Sequence, residues 1–141
     1  MSSFTEALER AVLNLVWGGA SYTPADPIYV GLSTTTIDND GTGITEPDAG
    51  DGYARVAVDN DDDEWPDATS GGPAEKSNAS EIEFPDATGD WGTVTHFFFS
   101  TSSSSVAAAD IIAFAELDNP RTIEDTDKAS FAANGITITL D

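Results

Sequence analysis

The ten residues Trp91-Gly-Thr-Val-Thr-His-Phe-Phe-Phe-Ser100 contain no acid, although the 141-residue chain holds 26 Asp and Glu. β-Branched and aromatic residues dominate the run, which predicts a strand. Side chains of a strand alternate between its two faces. Phe97 and Phe99 therefore share one face, and Phe98 takes the other. A strand apolar on both faces needs cover on both, so this segment belongs inside a layered structure.

Shorter alternating segments surround it. Ile28–Leu32, Tyr53–Val58, Ala79–Phe84, Ile111–Ala115, Arg121–Ile123, Ser130–Phe131 and Gly135–Leu140 read as further strands, separated by Gly, Pro, Asp and Ser. The N-terminus differs. Phe4, Leu8, Ala11, Val12, Leu15 and Val16 follow helical spacing, Ser3 and Glu6 form a capping box, and Gly18-Gly19 ends the run. These segments predict a mainly β fold: an antiparallel β-sandwich of about seven short strands with one N-terminal helix over about residues 3–17. Trp17 is expected to pack as an anchor. The length suits one domain spanning 1–141, and two long acidic loops, Asp38–Asp51 and Asp59–Lys76, insert into it.

Charge narrows the function. Five Lys+Arg against 26 Asp+Glu give a net charge of −21. That excludes a nucleic-acid binder working by phosphate neutralisation and argues against an anionic membrane surface. No apolar run is long enough to span a bilayer, and the N-terminus lacks the pattern of a secretory signal. Asp (17) outnumbers Glu (9), Lys occurs only at 76 and 128, and the acids lie along the whole chain. This distribution fits adaptation to high salt, where screening shortens the reach of like-charge repulsion. A nucleic-acid mimic and a calcium binder are the competing readings.

Catalytic chemistry is sparse. Without Cys there is no thiol nucleophile or disulfide, and the single His, His96, sits mid-strand beside aromatics. No G-x-S-x-G elbow or phosphate loop occurs, so no enzyme and no cofactor are expected. Asp38-Asn-Asp40-Gly-Thr42 resembles the first half of a calcium loop, but its twelfth position is Ala49 in place of a bidentate Glu. Asp59-Asn-Asp61-Asp-Asp63-Glu64 is acidic but has no Gly turn. Asp38, Asp40, Asp61 and Asp63 are thus weak candidate ligands for calcium or another cation.

Two features suggest contact with partners. Trp65 lies in an acidic, Gly/Pro-rich loop, where it is a candidate exposed contact for a partner or a sugar, the alternative being that it folds back and covers the sheet. Phe98 needs apolar cover, and Thr93–Ala109 carries no acid in a strongly anionic chain. Phe98, with Phe4 and Leu8 of the N-terminal segment, is therefore expected at a subunit interface.

Several stretches carry a resemblance that spans nearly the whole chain: Tyr22-Thr-Pro24, Ile28–Leu32, Gly52–Arg55, Phe84-Pro85-x-Ala87-Thr88-x-x-Trp91 through Phe97, and Ile136–Asp141. Together with the opening helix they are similar to small virion proteins of tailed viruses, the phage tail fibre and minor tail proteins. The resemblance implies a structural virion protein without catalytic residues, on the outer surface of tail or capsid, as fibre, tip, turret or decoration subunit. With the acid surplus it implies a tailed virus of a halophilic host. The implied partners are copies of itself in a trimer or ring, other virion proteins and a host surface receptor. The alternative functions are a free acidic binding module, such as a nucleic-acid mimic, or a sugar-binding domain.

Overall fold

A computed structural model describes residues 3–68 and 71–140. Thr69 and Ser70 of the second acidic insertion, and Asp141 of the terminal run, lie outside them. The elements in order are β1 (Ser3–Phe4), α1 (Glu6–Gly18), β2 (Ile28–Ser33), β3 (Val56–Val58), β4 (Ala74–Ser77), β5 (Ile82–Asp86), β6 (Gly92–Ser100), β7 (Ile111–Ile123), β8 (Lys128–Phe131) and β9 (Thr137–Leu140). The fold is mainly β, in antiparallel sheets, with one N-terminal helix, as the sequence predicts.

One sheet runs β1-β7-β6-β2-β3, and two-stranded ladders β4-β9 and β5-β8 stand apart from it. The acid-free strand β6 is central, paired with β2 (Val30↔Phe99, Leu32↔Phe97) and β7 (Phe98↔Phe114). The main core joins Val30, Leu32, Val94, Phe97 and Phe99 of the large sheet to Ile82 and Phe84 of β5 and to Ile136 before β9. Phe131 of β8 meets Phe97 at 5.0 Å between ring centroids. Inward residues of β5 alternate with exposed Glu83, the pattern of a strand with one wet face.

Several expectations are corrected. Arg121–Ile123 is not a separate strand but the end of β7, which continues past Pro120 because the ladder shifts register between Val94 and His96. Proline lacks the N–H that a regular ladder would use there. Pro85 does not end β5 for a similar reason: the β5–β8 pairing is irregular between Glu83 and Asp86. β4 forms inside the second insertion, where no alternation signals it, by pairing Ala74–Ser77 with Thr137–Leu140. The strand expected from Tyr53 begins only at Val56.

The helix also differs. Its N-cap is Thr5, whose hydroxyl does not cap the helix but donates to the carbonyl of Ile111 at 2.6 Å. This bond and the Thr5 N–H to Ile112 O bond (3.0 Å) tie the root of α1 to β7. Ser3 lies in β1, so the capping box does not form. Gly19 ends the helix in the left-handed conformation, φ 63°, as a C-terminal glycine does. Among the described residues, no helix is long and apolar enough to cross a membrane.

Candidate functional site

The acidic loops use their carboxylates to shape themselves. Asp40 Oδ1 accepts from the Thr42 amide (3.0 Å) and hydroxyl (2.7 Å). The Thr42 hydroxyl, then its amide, hold the Asp40 carboxyl below the usual range. Asp38 bonds through its backbone, with its N–H to Thr42 O and its carbonyl receiving Gly41 N–H. Asp61 Oδ1 receives the amides of Asp63 and Glu64 at 3.1 and 3.0 Å. Among the described residues, no three His, Cys, Asp or Glu side chains are grouped to hold a metal. Of the four candidate cation ligands, Asp40 and Asp61 serve as turn acceptors, and Asp38, Asp40, Asp61 and Asp63 are all exposed to water.

His96 is buried in β6, with Nδ1 2.8 Å from the hydroxyl of its neighbour Thr95. That bond ties it to its own strand and gives it no Ser–His pair. A cleft of about 450 Å³ beside β8 brings Arg121 and Lys128 to an apolar floor including Phe84, Val94 and Phe131. Asp127 is the one carboxylate in its lining, so the two facing carboxylates of a glycosidase are not found there. Lys128 is engaged by Glu83 (2.7 Å) and Asp86 (3.3 Å), which raise its pKa.

Trp65 corrects the reading of an exposed contact. It is 5% exposed and joins the main core, edge-on to Phe99 at 5.8 Å between ring centroids. Two bonds fold its loop inward: Trp65 N–H to Asp61 O (2.8 Å) and Lys76 Nζ to Trp65 O (3.0 Å). An indole buries 150–250 Å², and the core beside Phe99 offers more apolar contact than the acidic loop does.

Phe98 is corrected too. It is fully buried within one chain, against Ile37 and Ile111, with the Arg55 guanidinium 4.9 Å over its ring. Gly31 on β2 lies under the same ring, and a Cβ there would collide with it. The second face of β6 is thus covered at Phe98 from within the chain, by Ile37 and Ile44 of the β2–β3 connection, by Ile111 of β7 and by Arg55. The sequence reasoning missed that Glu46, deep in an acidic stretch, is what brings Arg55 to this place. A lone Arg after Gly52-Tyr53-Ala54, in a chain with three Arg, was the available signal.

Phe4 and Leu8 are half-buried at the root of α1, and Phe4 pairs with Ala113. Beyond Val12 the helix leaves the body. No residue of α1 is buried, and Leu13, Leu15, Val16 and Trp17 are exposed, Trp17 by 78%. Trp17 therefore anchors nothing within its own chain. The structure displays a covered β body with acids on its loops and an apolar helix end in water.

No curated protein matches the chain. A family model described as podophage GP4 fiber I protein gp80 matches residues 3–139, and so covers the helix, both acidic insertions and every strand but the last residue of β9. The chain belongs to this family of structural phage fibre proteins and is a virion component located on the tail.

Proposed function

We propose that the protein is a non-enzymatic, single-domain subunit of a tail fibre that is oligomeric, works at high salt and contributes to host attachment. The observation that carries the reading is the family match over residues 3–139. The β body supports it, because its loops project from a rigid scaffold, where binding functions concentrate. High salt is supported by the −21 charge and by the exposure of most loop acids. Partners on this reading are copies of the chain, other tail proteins and a host surface receptor. Immunogold labelling of intact particles, paired with adsorption in the presence of the same antibody, tests it. Labelled tails with reduced adsorption are expected. Tails that carry label but adsorb normally would remove the attachment role, and particles free of the protein would remove the reading altogether.

A further inference from the structure

The second half of α1 is unlike a surface helix. Such a helix shows one apolar stripe of roughly 100° and a polar opposite face. Residues advance 100° per position, so Leu13 and Leu15 lie about 160° apart around the axis, and Val12, Val16 and Trp17 fill the arc between and beside them. Four of these five side chains are exposed: Leu13 and Val16 by 58% each, Leu15 by 44% and Trp17 by 78%. From Leu15 round to Trp17 the apolar arc spans about 200°, twice the stripe of a surface helix, with Asn14 on the remaining side. So broad an arc calls for cover on more than one side.

Charge identifies the occupant. Ala11–Ala25 is fifteen residues without one Asp, Glu, Lys, Arg or His, in a chain whose net charge is −21. Two copies repel each other wherever their acidic surfaces meet, and they can approach only where that charge is missing. A basic partner would instead be drawn to the acids and would gain nothing from this segment. The charged root of the helix, Glu6, Glu9 and Arg10, carries both signs and so also tolerates its own copy.

We infer that copies of this chain associate through the Leu13–Trp17 half of α1, packed helix against helix in a bundle of three or more. This rests on the oligomeric part of the reading above. The number follows from the arc. A single helix–helix seam would leave either the Leu13 or the Leu15 side in water. Contact with two neighbours covers both sides of each helix.

The test is the mass of the purified full chain in molar salt, by light scattering across micromolar concentrations, for the wild type and for Leu13→Glu/Trp17→Glu. Both positions are exposed in the single chain, so the variant should keep its β circular dichroism. The wild type is expected at three or more copies and the variant at one. Leu13→Cys adds a second readout, since the chain has no other thiol: mild oxidation should give covalent dimers within the oligomer. A wild type that stays monomeric, or an oligomer untouched by the double substitution and giving no covalent dimers, overturns the inference. A monomer that instead binds another tail protein through α1 also overturns it. None of these results bears on whether the protein sits on the tail, which immunogold labelling reads separately.

Discussion

Glu46 takes both forks of the Arg55 guanidinium, Nε to Oε1 and Nη2 to Oε2, each at 2.8 Å. The same Glu46 Oε1 accepts the Tyr53 hydroxyl at 2.7 Å, and the Tyr53 oxygen in turn accepts the Leu32 amide at 2.9 Å. Arg55 Nη1 donates to the carbonyls of Ser102 (2.7 Å) and Ser105 (3.0 Å). One cation thus ties the first acidic loop, the β6–β7 connection and the Phe98 face together. Burial, and then the Glu46 charge, push the Tyr53 hydroxyl well above its usual pKa, so it stays a donor.

Removing one partner of a buried pair leaves the other uncompensated, at about 3–5 kcal/mol. The Arg55 side chain is 1% exposed and that of Glu46 18%, so Arg55→Met is expected near the lower end of that range in chemical unfolding. Arg55→Lys should recover little, because an ammonium cannot bond both carboxylate oxygens and both carbonyls in the same fork. The exposed Lys128–Glu83 pair serves as the contrast: Lys128→Met should change stability far less. Equal losses for Arg55→Met and Lys128→Met would contradict this account.

Gly31 predicts a second effect. Its missing side chain is the space into which the Phe98 ring sits. Gly31→Ala should destabilise the fold by about 1–3 kcal/mol through overpacking. Adding Phe98→Leu, a smaller side chain, should return part of that loss, whereas two independent sites would simply add. Thermal unfolding of the two single variants and the double variant gives the coupling directly. Additive losses would mean the ring can move aside.

The strands were legible where alternation alone decides burial. β2, β6 and the final strand follow from Ile28–Leu32, Trp91–Ser100 and Ile136–Leu140 because each has an apolar set of period two. β4 was not legible, since Ala74-Glu-Lys-Ser77 has no apolar face and exists only through its partner β9. Long-range pairing of this kind leaves no local trace. The need of Phe98 for cover was legible, but its source was not: Ile37 reaches it from the edge of a loop whose composition reads as solvated acid, and Arg55 from a segment whose alternation reads as a strand. Trp65 stayed open between an exposed contact and a fold back over the sheet, because loop composition does not report where the loop tip folds. The helix was visible from its spacing, but Leu13 lies off the expected stripe and was passed over. The breadth of the apolar arc was the unread signal.

Asp40 gives a pH prediction. Its carboxyl lies below the 3.8 of an unperturbed Asp because Thr42 donates to the charged form. A carboxylate whose folded value is lower than its unfolded value adds stability above the unfolded value. That contribution is lost as pH falls through the folded value. A carbon-detected NMR titration should place Asp40 below 3.8, and Thr42→Val should move it upward toward that value by removing the stronger bond. The stability difference between wild type and Thr42→Val should then vanish at pH values below the titration of Asp40 in both. A difference that persists in strong acid would assign the effect to packing of the threonine instead.

Salt dependence reads the charge as a whole. At −21 the folded chain confines its acids, most of them exposed, to a small surface, and self-repulsion favours the expanded state. The Debye length falls from about 10 Å at 0.1 M to about 3 Å at 1 M, which removes repulsion between all but neighbouring acids. The melting temperature is therefore expected to rise by roughly 10 °C over that range, equivalent to a few kcal/mol for a domain of this size. Screening is nearly complete near 1 M, so chloride salts should give a steep rise that then flattens. Strengthening of apolar burial behaves differently: it continues to grow with concentration and is larger for sulfate than for chloride. Melting curves in sodium chloride, potassium chloride and sodium sulfate, matched for ionic strength, separate the two. Coincident curves that flatten near 1 M support charge repulsion as the cause. A flat response in every salt would show that the acids are already accommodated at low ionic strength, and the case for life in brine would lose its physical basis.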